Sequence, residues 1–126
     1  MPTTTPTVWQ GVAQVNTTDA GPAGDDQTLP QVIALAGGRF FIAWADNGDA
    51  STLGAPDIYG RFAGAQGNFG GGPLGGSDFL LNSFVDFPQG SPAIARGPDG
   101  GFTLAYQTMT DPVFGLGEGV PVDRFD

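Results

Sequence analysis

Two stretches of this chain say nearly the same thing. Leu29-Pro30-Gln31-Val32-Ile33-Ala34, running on through Gly38-Arg39-Phe40-Phe41-Ile42-Ala43-Trp44, recurs as Ser91-Pro92-Ala93-Ile94-Ala95-Arg96, running on through Gly100-Gly101-Phe102-Thr103-Leu104-Ala105-Tyr106, with Pro30 against Pro92 at a shift of 62. Arg61-Phe62 then matches Arg124-Phe125 at a shift of 63. A period of this size, with several short strands in each copy, is the mark of a propeller or solenoid, where one repeat cannot bury its apolar face alone.

Composition narrows the class further. The chain carries 22 Gly and 11 Pro placed between short apolar runs, which is the punctuation of an all-β protein. No stretch sustains apolar residues at i, i+3, i+4 and i+7, so little or no helix is expected. Within 126 residues the chain has one domain's worth of core. The formal charge of −9, against only Arg39, Arg61, Arg96 and Arg124, repels phosphate backbones and anionic lipid, so neither nucleic acid nor membrane is an expected partner. With no Cys and no His, disulfides, thiolate nucleophiles and the commonest general base and zinc ligand are excluded. No apolar run approaches the length of a membrane-spanning helix, and Met1-Pro2-Thr3-Thr4-Thr5-Pro6 lacks the basic and apolar regions of a secretory signal.

Residues 1–11 read as a Thr/Pro-rich arm and 12–126 as a two-repeat domain. In the first repeat, about 29–82, strands are expected over 30–35, 39–45, 57–63 and 77–82, with a tight turn at Gly37-Gly38 and a long glycine-rich loop over 64–76. In the second, about 91–126, strands are expected over 92–96, 102–107 and 120–125. Its fourth strand has a candidate in residues 12–16, because Gln14-Val15-Asn16 corresponds to Leu80-Leu81-Asn82. The expected fold is therefore a β-propeller type with two four-stranded blades per chain, or alternatively an eight-stranded β-sandwich. Phe40, Ile42, Trp44, Phe102, Leu104 and Tyr106 are the expected core residues.

The repeats resemble those of large bacterial extracellular proteins, the haemolysin-type (RTX) proteins of type I secretion and related adhesin-like proteins. The matching residues are Pro30, Gly37-Gly38, Phe40, Trp44 and Tyr59-Gly60-Arg61-Phe62 in the first copy, with Val15-Asn16 or Leu81-Asn82 as the strand end. The second copy matches at Pro92, Asp99-Gly100-Gly101-Phe102, Tyr106 and Arg124-Phe125-Asp126. The resemblance implies secretion, propeller-like blades and calcium dependence, and it carries no catalytic residues. The calcium-binding Gly-Gly-x-Gly-x-Asp nonapeptide of such proteins is not matched, since Gly71-Gly72-Pro73-Leu74-Gly75-Gly76-Ser77-Asp78 has the composition without the spacing.

Trp9, Trp44, Tyr59 and Tyr106 are the chain's only Trp and Tyr residues and the candidate ligand-binding aromatics. Exposed at a blade edge, such rings stack on sugars; filling the space between blades is the commoner role of repeat-equivalent aromatics. Asp46, Asn47, Asp49 and Asp57 place oxygen ligands at the short spacing that a calcium ion needs, although they fit no complete EF-hand. Solvated turn acids are the plainer reading of the same residues. Arg61 and Arg124 suit fixed pairing with a loop carboxylate. Asp25 and Asp26, adjacent in a loop, do not make the separated pair of carboxylates that a glycosidase uses.

Together these readings point to a non-enzymatic, extracellular binding or adhesion module, with a glycan as the ligand class. A structural subunit that assembles with itself into a ring or filament is the alternative, and a glycosidase-like enzyme the third reading. Beyond calcium no cofactor is expected. The buried or exposed state of Trp44 and Tyr106 discriminates between the first two.

Overall fold

Proline decides where the first strand of each repeat bends. Pro30 and Pro92 cannot donate to a sheet ladder, and the strands that carry them, β1 (Gln27–Ala34) and β5 (Gln89–Arg96), both break register around them. Pairing jumps from Thr28 to Gln31 in β1 and from Gly90 to Ala93 in β5. At each bulge the residue before proline is left-handed, Leu29 with φ 53° and Ser91 with φ 49°. The repeat thus preserves a backbone irregularity that costs a non-glycine residue about 1–2 kcal/mol.

A computed structural model describes residues 15–16, 26–46, 56–64, 78–83, 88–108 and 119–125. They form two antiparallel sheets. The first runs β1, β2 (Phe40–Asp46), β3 (Asp57–Ala63) and β4 (Phe79–Leu80) in sequence order. The second runs β5, β6 (Phe102–Thr108) and β7 (Val122–Phe125). The all-β class is as expected, and so is the hairpin turn at Gly37-Gly38, where φ values of 72° and 74° call for glycine. Equivalent turn bonds close both hairpins: the Leu35 amide donates to the Arg39 carbonyl at 2.7 Å and the Gly97 amide to the Gly101 carbonyl at 2.8 Å.

Successive residues of a strand point to opposite faces, and this sets how the sheets stack. Phe41, Ala43 and Ala45 on β2 join Ile58 and Leu81 in one buried cluster with Phe102, Leu104 and Tyr106 on β6. Phe40, Ile42 and Trp44 therefore lie on the other face of the first sheet. They are the repeat equivalents of Phe102, Leu104 and Tyr106, so the second sheet uses its Phe102 face, here called rear, to cover the opposite, forward face of the first. The stacking is head-to-tail. The expected core is corrected accordingly: Phe102, Leu104 and Tyr106 enter the shared core, whereas Phe40 and Ile42 are half-buried on the far side and Phe41, Ala43 and Ala45 take their place.

The joint is aromatic. Phe41 stacks on Phe102 with ring centroids 4.4 Å apart, Phe102 stacks on Phe125 at 4.8 Å, and Phe62 meets Phe41 edge-on at 4.8 Å. Gly60 makes room for this: a methyl group there would press into the Phe41 ring, 2.9 Å from its Cε1. Replacing Phe102 by Ala removes the centre of the stack and should cost about 3–5 kcal/mol in urea unfolding. Gly60→Ala should cost about 1–3 kcal/mol by displacing the Phe41 ring. A loss below about 1 kcal/mol for Phe102→Ala would show that the two sheets do not depend on this stack.

Candidate functional site

Register pairing reveals a one-residue offset between the repeats. In the first sheet Arg61 lies opposite Ile42 and Phe62 opposite Phe41. In the second, Asp123 lies opposite Leu104 and Arg124 opposite Thr103. Because Leu104 and Thr103 are the equivalents of Ile42 and Phe41, Asp123 stands where Arg61 does and Arg124 stands where Phe62 does. The Arg-Phe match at a shift of 63 is thus not the structural match, and a slip of one residue sends Arg61 and Arg124 to opposite faces of their sheets.

Both residues at the Arg61 position hold a stretch of chain that lies outside the paired strands. Arg61 Nη1 donates to the Val15 carbonyl at 2.6 Å. Asp123 accepts from the Ser83 amide at 2.9 Å and from Ser83 Oγ at 2.6 Å, and Tyr106 Oη donates to the same carboxylate at 3.1 Å. Ser83 follows β4 of the first sheet, so this contact latches the first sheet to the second. Partial burial pushes the Asp123 carboxyl up, but the hydrogen bonds from the Ser83 side chain and backbone and from Tyr106 outweigh it and leave the pKa below its ordinary value.

Arg124, displaced to the forward face, forms a salt bridge with Asp99 in the β5–β6 turn. The expected Arg–carboxylate pairing is found here. That hydrogen bond holds the exposed Asp99 carboxyl below the usual range.

Four of the eight expected site residues gather on the rear face of the first sheet. Trp44 lies opposite Tyr59, and Asp46 opposite Asp57. Trp44 is only 4% exposed and lies against a hollow of about 210 Å³ shared with Val15, Asn16, Gln27, Pro30 and Ile42. Its indole nitrogen donates to Asp46 Oδ2 over a long 3.5 Å. Asp57 Oδ1 accepts from Asn82 Nδ2 at 3.0 Å, while Asn82 Oδ1 accepts from the Ile58 amide at 2.7 Å. This asparagine ties the end of β4 to β3, a role its type and position did not announce. Among the described residues no three His, Cys, Asp or Glu side chains group as a metal site. Asn47, Asp49 and Trp9 lie outside the described residues. Tyr106, across the joint, is 1% exposed.

The forward face of the second sheet is open. A hollow of about 540 Å³ there is bordered by Ser91, Ala93, Ala105, Gln107, Gly119 and Val120 and also touches Tyr106, one of the expected ligand-binding residues. Val120 and Val122 are 71% and 62% exposed. Compared with the covered forward face of the first sheet, Thr103 replaces Phe41, Arg124 replaces Phe62 and Val122 replaces Gly60. Sequence reasoning missed this surface, because the 62-residue match aligns the repeats without saying which copy lies outermost.

No family model and no curated protein matches the chain. Among solved structures it is similar to the endo-arabinase from Bacteroides thetaiotaomicron VPI-5482, with a TM-score of 0.52 and 18% sequence identity. The likeness covers 82% of this chain and 32% of that one, so the chain spans about a third of that enzyme's length. At this identity it is the fold that is shared.

A carboxyl whose folded pKa is depressed contributes stability in full above its unfolded pKa and loses it as pH falls through the folded value. The Asp123 latch should thus be intact above about pH 4 and should fail progressively below it. Thermal melts from pH 6 down to pH 2.5 should show a smaller acid-induced loss for Asp123→Asn than for the wild type. Parallel curves for the two proteins would show that the latch carries no linkage.

Proposed function

We propose that this chain is a β-propeller-type module of two blades, a non-catalytic extracellular unit whose work is assembly through stacked sheets. The head-to-tail stacking, forward face of the first sheet against rear face of the second, carries the reading. A sandwich hides one face of each sheet within the chain and turns polar outer faces to water. Here the half-buried Phe40 and Ile42 stand on the rear face of the first sheet and the exposed Val120 and Val122 on the forward face of the second, so apolar side chains mark both ends of the stack. The packing of β5 across β1, β2 and β3 also suits blades set side by side around an axis. The resemblance to repeats of secreted bacterial proteins supports the extracellular setting.

Near-complete burial of Trp44 and Tyr106 puts assembly ahead of sugar stacking, since each ring leaves only a sliver of its surface at the hollow it borders. Glycan binding stands as the second reading. The likeness to an endo-arabinase favours it, and the open hollow of about 540 Å³ is within the range of small-ligand pockets.

Head-to-tail contacts give rings or filaments according to whether the rotation closes. Sedimentation velocity at micromolar to hundred-micromolar protein should show concentration-dependent association, and Val122→Asp, on the exposed forward face, should shift it toward the monomer. A wild-type chain that stays a folded monomer throughout would overturn the assembly reading. Saturable chemical-shift changes at Ser91, Ala105 and Gln107 on titration with arabino-oligosaccharides would favour the glycan reading instead.

A further inference from the structure

The position of Val15 and Asn16 points to a partner for the edge of the second sheet. Val15 hydrogen-bonds Arg61 and shares the hollow with Ile42 and Trp44, all of which belong to the rear face of the first sheet. The second sheet lies on the forward face of that same sheet. The first sheet therefore stands between Val15 and β7. A fourth strand supplied to β7 by this segment within one chain, as the sequence suggested, would have to pass through it.

The inner joint has the same arrangement one unit along. There Leu81 and Asn82 leave the fourth strand of the first sheet still bonded to β3, and Ser83 meets the rear face of the second. The Leu81 amide donates to the Ile58 carbonyl at 2.7 Å, Asn82 Oδ1 accepts from the Ile58 amide, and Ser83 reaches Asp123, which stands at the Arg61 position. Leu81 and Ile58 are both in the buried cluster that the second sheet covers. Val15-Asn16 repeats Leu81-Asn82 as an aliphatic residue followed by asparagine, and Val15 touches the first sheet as Ser83, after Leu81-Asn82, touches the second.

We infer that Val15 and Asn16 belong to the fourth strand of a preceding blade, and that this blade is the second sheet of another copy of this chain. In that pairing Val15 takes the place of Leu81 and Val120 that of Ile58. The Val15 amide donates to the Val120 carbonyl, and Asn16 Oδ1 accepts from the Val120 amide. The strand exchange would cover Val120 and Val122 and bring the rear face of one copy's first sheet onto the forward face of its neighbour's second sheet, continuing the joint already present within the chain. The smaller Thr103 and the Arg124 stem would then meet the half-buried Phe40, a fit of cation over ring.

This inference rests on the assembly reading but is separable from it by experiment. The chain has no cysteine, so single thiols report cleanly. A Val15→Cys chain and a Val120→Cys chain, each shown to be folded by circular dichroism, are mixed and oxidised, and the double variant is oxidised alone. The expected result is a mixed disulfide between chains, joining the thiol introduced at position 15 of one to the thiol introduced at position 120 of the other. It should form on the order of a hundredfold faster than either homodimer, because pairing raises the effective thiol concentration from micromolar toward millimolar. Association without the mixed disulfide would overturn the strand exchange and leave the assembly reading standing. A disulfide within single chains of the double variant would overturn it in favour of closure inside one chain. A monomer with neither would overturn both.

Discussion

The stack of Phe41 on Phe102 is the interaction on which the rest of this structure depends. Among the described residues neither sheet has a second layer of its own to bury its apolar residues, and a layered fold needs one. Joining the sheets solves this for one face of each. The aromatic contribution beyond burial is only about 0.5–1.5 kcal/mol per pair, but the rings are linked, Phe62 to Phe41 to Phe102 to Phe125, so the joint spans both sheets. Ala43 and Ala45 are small because the neighbouring sheet approaches there, and Gly60 is bare because the Phe41 ring lies over it. The same choice of face leaves apolar residues at the two ends.

Much of the architecture was legible in the chain. Alternation and turn chemistry gave β3 at its observed limits of 57 and 63 and placed β2 and β6 to within a residue. β1 and β5 begin earlier than read, since Pro30 and Pro92 looked like strand starts whereas a left-handed residue before each carries the strand past it. The faces were harder. Aligning the repeats made Phe40 and Phe102 equivalent, which they are, but equivalence does not make both core: a head-to-tail stack buries opposite faces of its two members. The Arg-Phe match misled for a related reason. Identity of residue type outweighed the period, while register, which side-chain alternation enforces, kept to 62. Of the candidate site, Trp44, Asp46, Asp57 and Tyr59 do come together on one face, where the buried indole borders a hollow.

The exchange of Arg61 for Asp123 at equivalent places makes the two seams of the module chemically unlike. One is fastened by the Arg61 guanidinium, which grips a main-chain carbonyl. The other is fastened by a carboxylate that must be ionised to take two donors from Ser83. The two fastenings therefore run in opposite senses, Arg61 donating to the segment it holds and Asp123 accepting from the segment that it holds. The carboxylate that β7 places at the Arg61 position thereby makes the seam it fastens sensitive to acid.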